Sequence, residues 1–264
     1  MAILTEGINF IGRIGNLNAY KLKGSDKIIV RKNTAGPSKA DIQSSPTYQR
    51  VRENITEFGA CSSASKAIRQ VLYPVKHLAD YNFTPTLCKL AKNIQVMDTA
   101  GERGKRSILL SRYGHLLEGF QLNRINTFDS IIRHPVACSI NRETGSATIK
   151  LPALVLGINF ITSRNYARFR FVATIGLVPD IVYKVNNYKS SEQTSLPEVI
   201  FTEWQSLQQS FEAQSITMQL KELNALSDTK TIMVGIGIEM GVSLSNQVVE
   251  RIKHAGAAKI LAVG

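Results

Sequence analysis

Beyond about Ile125 the chain becomes a series of short apolar or alternating runs, each cut off by a turn signal. VACSINRETGSATIKL reads as strand, glycine-containing turn, strand, and ARFRFVATIG and DIVYKVNNYK follow it. SITMQLKEL places Ile216, Met218 and Leu220 on one face of a period-two strand, and TKTIMVGIGIEMG and AAKILAVG complete the set. Such punctuation predicts an antiparallel β-sandwich over residues 126–264. Phe169, Phe171, Val182, Ile216, Met218, Ile232 and Ile236 are its expected core.

The preceding stretch, residues 39–125, has helical periodicity. Ser45-Pro46 is a cap followed by a first-turn proline, and Tyr48, Val51, Ile55 and Phe58 fall on one stripe that Gly59 should end. Ala64, Ala67, Ile68, Val71, Leu72 and Val75 form a second stripe, which Pro74 should kink or end. Thr84-Pro85 opens a third helix carrying Leu87, Leu90, Ala91, Ile94 and Met97. All three stripes read as core.

The first segment is different again. GRIGNLNAYKLKGSDKIIVRK turns at Gly24-Ser25-Asp26, with Tyr20 and Leu22 facing Ile28, Ile29 and Val30 across it, so a β-hairpin is expected. Lys21, Lys23, Lys27, Arg31 and Lys32 decorate that hairpin, and NTAGPSKADIQSSP reads as an extended linker. The predicted class is therefore α+β: a hairpin arm and linker (1–38), a helical segment (39–125) and a sandwich domain (126–264).

Charge sharpens this division. The net charge is +12, and residues 1–125 hold 19 Lys and Arg against 9 Asp and Glu. A basic half suits phosphate, an anionic surface or an acidic partner. No run has the length and apolarity of a membrane span, and the start carries no Sec-type signal pattern, so cytoplasmic synthesis is expected. Cys61, Cys88 and Cys138 lack CxxC spacing and read as reduced thiols.

Two motifs invite a catalytic reading and fall short of it. DTAGERG (98–104) is similar to a GTPase switch segment, but no GxxxxGK[ST] loop accompanies it, so a polar turn is expected. GIGIEMG (235–241) has the wrong glycine spacing for a dinucleotide fingerprint and lies inside an apolar run, where glycine marks a bulge or a close backbone approach. His77, His115, His134 and His254 show no metal-ligand spacing. No catalytic residue, cofactor site or metal site is expected, and the chain reads as non-enzymatic.

The residues Gly12-Arg13-Ile14-Gly15-Asn16, Tyr20-Lys21-Leu22-Lys23-Gly24 and Ile29-Val30-Arg31 resemble the opening of a domain-of-unknown-function family of hypothetical proteins from Bacteroidota. The resemblance implies a helical segment starting near Gln49-Arg50 and a β-rich ending, here AAKILAVG. It supplies no catalytic residues.

A hairpin arm before a separate body suits addition of strands to a neighbour's sheet. The leading expectation is a structural protein that self-assembles as a filament, tube or phage-like particle. Its assembly arm would comprise Arg13, Tyr20, Lys21, Leu22, Lys23, Lys27, Ile28, Ile29, Val30 and Arg31. The alternatives are a nucleic-acid-associated protein using Arg103, Lys105 and Arg106 as phosphate contacts, and a sandwich module for a small ligand or glycan.

Overall fold

Three β-branched residues in a row, Ile28-Ile29-Val30, commit the basic N-terminal segment to a strand. A computed structural model describes residues 2–4, 10–22, 24–34, 36–185, 187–190, 196–221, 226–245 and 248–264. It divides into two compact units, residues 1–52 and 53–264. In the first unit Ala2–Leu4 (β1), Gly12–Ile14 (β2), Leu17–Lys21 (β3) and Ile28–Lys32 (β4) form an antiparallel sheet in the order β1-β4-β3-β2. The expected turn lies between β3 and β4, where Lys21 pairs with Ile28. A second turn joins β2 to β3, with Gly15 at φ 55, the sign this two-residue connection needs at its first position. β2, from the front of the same stretch, and β1, from before it, thus widen the two-stranded hairpin to four.

Within the stretch read as an extended linker, Lys39–Ser44 forms a short helix, α1. Ser38 accepts the Asp41 N–H at 3.0 Å while the Asp41 carboxylate accepts the Ser38 N–H at 2.9 Å, a reciprocal cap. The long helix α2 spans Gln49–Val71 and runs straight through Gly59. An interior glycine costs about 1 kcal/mol relative to alanine, and buried Ala60, Ala64, Ala67, Ile68 and Val71 on the same helix outweigh it.

This inner face corrects the first predicted stripe. Val51, Ile55 and Phe58 are 39%, 59% and 65% exposed. The small side chains on the opposite face of α2 let it approach the body closely, and they take the place the larger stripe was expected to occupy. After a short turn of helix at Tyr73–Leu78, α3 spans Thr84–Val96 and buries Leu87, Ala91 and Ile94, leaving Met97 46% exposed. Leu110–Tyr113 (α4) and Phe128–Ile131 (α5) are single turns. No helix among the described residues is long and apolar enough to cross a membrane.

From Ala137 onward the second unit is antiparallel sheet. Ala137–Asn141 (β5), Ser146–Leu151 (β6), Arg168–Pro179 (β7), Ile181–Lys184 (β8), Asn187–Ser190 (β9), Glu198–Phe201 (β10), Gln205–Ser206 (β11), Gln214–Gln219 (β12), Lys230–Ser243 (β13) and Val249–Val263 (β14) follow in order. The main sheet runs β10-β7-β13-β14, with β11 also on β7; β12-β6-β5 form a second sheet and β8-β9 a third.

Both faces of β7 and β13 are covered, which is why their sequences lose the polar half of the alternation. Phe169, Phe171, Ala173, Ile175, Ile232, Val234, Ile236 and Ile238 share a core with Ala147, Ile149, Leu151, Ile216 and Met218 of β6 and β12. Val172, Val178 and Met233 instead join Ile68, Val71, Leu72, Val75 and Leu78. The expected core residues are buried, except Val182, which is half-buried.

Glycines make the second contact possible. A Cβ on Gly176 would lie 2.9 Å from Val71 Cγ2, one on Gly235 3.0 Å from Leu72 Cδ2, and one on Gly237 2.7 Å from Leu78 Cδ1. The Thr174 hydroxyl donates to the Val71 carbonyl at 2.9 Å across this contact. GIGIEMG is therefore a floor on which a helix end rests, and the β13–β14 register also shifts at Val234/Gly235 and at Glu239/Gly241.

Candidate assembly surface

Within the N-terminal unit the expected arm residues separate by chemistry. Ile29 and Val30 are buried, and Tyr20 and Ile28 are half-buried. Arg13, Lys27 and Arg31 are exposed, and Lys23 lies outside the described residues. Arg31 sits over the Tyr20 ring at 5.6 Å, and Lys21 meets Asp26 at 2.7 Å across the turn. The hydrogen bond and charge of Lys21 hold the Asp26 carboxyl below its ordinary value. Arg13 Nε donates to the Gly15 carbonyl at 3.2 Å.

Apolar exposure is the feature the sequence reading undervalued. Ile11, Ile14, Leu17 and Leu22 are 68%, 58%, 41% and 49% exposed on this one small unit. Among the described residues β2 has β3 as its single strand partner, so its other edge is open. An open edge beside uncovered apolar side chains is a template for strand addition.

The second unit has an edge of its own. β10 pairs with β7 alone among the described residues, and Val199 and Phe201 are 39% and 45% exposed. Arg170 stacks over Phe201 and Trp204, 4.4 and 4.5 Å from their rings. A separate groove of about 830 Å3 on this unit is lined by Ile55, Phe58, Cys61, Pro85 and Cys88, with Lys89 and Lys92 beside them.

The expected phosphate contacts lie around the DTAGERG loop, and much of their charge meets acids of the same chain. Arg103 Nε is 3.5 Å from Glu53, and its Nη2 donates to Asn54 at 3.2 Å. Lys105 pairs with Glu102 at 2.9 Å. The loop's amides are likewise engaged: Ala100 and Gly101 donate to Asp98 Oδ1, Ser107 to Asp98 Oδ2, and Gly104 to Glu57 Oε1. Burial alone would raise Glu57, but bonds from Lys92 and the Gly104 amide, with the charges of Lys92 and Arg106, hold it below its ordinary value. Arg106 itself gives its carbonyl to Gln95 Nε2 at 3.0 Å and to the Tyr188 hydroxyl at 2.8 Å. This is a closed polar turn rather than a nest of free amides.

A buried ionic centre escaped the sequence reading. Glu239, fully buried inside GIGIEMG, has Arg170 Nε 2.7 Å from Oε2, and His77 Nε2 2.6 Å and Arg251 Nη1 3.5 Å from Oε1. Burial pushes its carboxyl up, and His77 and Arg170 more than reverse that, so it stays ionised. Arg170 donates to Oε2, while the His77 and Arg251 nitrogens stand near Oε1 without a hydrogen bond to it; the arrangement ties residue 77, β7 and β14 to β13. The sequence did hold one signal, a lone acid in an apolar strand, which must find partners if buried.

Among the described residues no group of three or more His, Cys, Asp or Glu side chains could hold a metal ion. Cys61, Cys88 and Cys138 are free thiols. Compared with protein-family models, curated proteins and solved structures, the chain matches none.

Proposed function

We propose that this protein is a non-enzymatic structural subunit that self-assembles through its N-terminal sheet, as a filament, tube or phage-like particle. The observation that carries the reading is the exposure of Ile11, Ile14, Leu17 and Leu22 beside the open β2 edge of a unit of 52 residues. A unit that small buries too little apolar surface to leave four large side chains in water without cost. The Arg170–Glu239 ion pair, which gives the buried carboxylate a structural task, supports the non-enzymatic part. On this reading the C-terminal region is a β-sandwich body, supported by the alternation of β7 and β13 side chains toward β6 and β12.

The phosphate-binding alternative draws support from the net charge of +12. It draws less from Arg103 and Lys105, whose charges face Glu53 and Glu102. Sedimentation velocity and negative-stain microscopy of the full-length chain over a concentration series test the proposal. Growth of regular oligomers with concentration is the expected result; a monomer throughout the series would overturn it.

A further inference from the structure

The two open edges differ in charge. Residues 1–52 carry nine Lys and Arg against three Asp and Glu. Residues 190–220, which include β10, hold Glu192, Glu198, Glu203 and Glu212 and no Lys or Arg. In a chain of net charge +12 a cation-free stretch of that length is the natural receiver for a basic surface. Glu203 and Glu212 are exposed and have no ion-pair partner among the described residues, whereas Glu198 meets Lys221 at 2.7 Å.

Backbone polarity fits as well. Thr202 donates its N–H to the Phe171 carbonyl at 3.0 Å, so by the two-residue alternation Ile200 and Glu198 also bond toward β7. The N–H and C=O groups of Val199 and Phe201 therefore point away from the sheet. On β2 the two-residue turn closes on Ile14 and Leu17, which turns Ile14 and Gly12 inward and Arg13 outward. Among the described residues each strand thus offers unpaired backbone on its outer side.

We propose that β2 of one copy adds to β10 of the next, making a head-to-tail contact whose two surfaces lie on different units of the chain. This inference rests on the self-assembly reading and names its interface. A contact between two different patches leaves one of each free at the ends, so it propagates into a ring or an open filament rather than stopping at a symmetric dimer. The ladder is short, so charge supplies much of the selectivity, and assembly weakens as salt rises.

Arg13→Pro and Val199→Pro test this, because each removes an outward N–H and leaves the inward ladder in place. Each variant alone should sediment as a monomer with its circular dichroism unchanged. Each retains the edge the other lacks, so an equimolar mixture should form a heterodimer that grows no further. If the wild type assembles and either variant assembles equally well, the interface is wrong and the self-assembly reading stands. A wild type that stays monomeric overturns both. Should a proline variant lose its fold, Glu203→Lys with Glu212→Lys serves instead: lost assembly with unchanged thermal unfolding supports the contact, and unchanged assembly rejects it.

Discussion

Arg170 and Glu239 stand directly opposite each other on β7 and β13, with Nε 2.7 Å from Oε2 and the Glu239 side chain out of contact with solvent. Removing one partner of such a pair strands the other charge in the interior, at a cost of about 3–5 kcal/mol. Arg170→Ala is therefore expected to lower the urea midpoint sharply without changing the slope of the transition. An effect below about 1 kcal/mol, the range of an exposed ion pair, would show that water reaches the carboxylate.

The same centre predicts acid sensitivity. Glu239 and Glu57 are both held below the ordinary value of 4.5 in the folded chain. Groups with lowered folded values contribute stability above the unfolded value and lose it as pH falls through the folded one. Thermal unfolding should change little from pH 7 to 5 on account of these groups and fall steeply below the ordinary value. Glu239→Gln should flatten that fall, and an unchanged acid limb would contradict the assignment.

Two glycines should respond in opposite directions to alanine. A Cβ on Gly59 meets nothing within 4 Å, so Gly59→Ala is expected to stabilise the helix by about 0.4–1 kcal/mol. Gly256 has φ 114, and its Cβ would lie 1.9 Å from the Ile238 carbonyl oxygen. Gly256→Ala should cost about 1–3 kcal/mol or more, since backbone rather than a side-chain tip must move. Chemical denaturation of both variants checks the pair.

The exposed and buried faces of α2 can be separated in the same way. Ile55→Ser should shift stability by about 0.5 kcal/mol or less. Ile68→Ala, at a fully buried position, should cost about 2–5 kcal/mol. A large loss at Ile55 in the monomer would return the outer stripe to the core.

Thiol chemistry offers a further check. Burial pushes Cys61 and Cys138 from 9.0 to about 11. Their thiolate fraction near pH 8 should then be roughly a hundredfold lower than that of an unperturbed thiol. Mass-resolved alkylation should find both slow in the native chain and fast in urea. Rapid native labelling of Cys61 would mean that the groove beside it opens.

Strand periodicity was the most legible part of the sequence. The long runs of β7 and β13 and the alternation through Ile216 and Met218 announced sheet, and Pro74 announced the end of α2. The outer stripe of α2 was misread because a 3.6-residue period marks an apolar face without saying what lies against it. There the chain buried alanines and left Phe58 outside. The capping pair Ser38 and Asp41 was visible in sequence and overlooked beneath Gly36 and Pro37. The Glu239 centre draws His77, Arg170 and Arg251 from three distant segments, and only the fold brings them together. The acidity of residues 190–220 was legible from composition, but its meaning required knowing that β10 is an edge.

The glycine floor under residues 71–78 has a mechanical consequence. Helices seat on side-chain ridges and grooves, and Gly176, Gly235 and Gly237 supply no ridges. They leave hollows instead, and Val71, Leu72 and Leu78 drop into them, each within 3.0 Å of where a glycine Cβ would sit, so the two layers interlock. Thr174, whose hydroxyl donates to the Val71 carbonyl at 2.9 Å, adds a directional bond to that fit. Its hydroxyl fixes the register in which side chains and hollows meet.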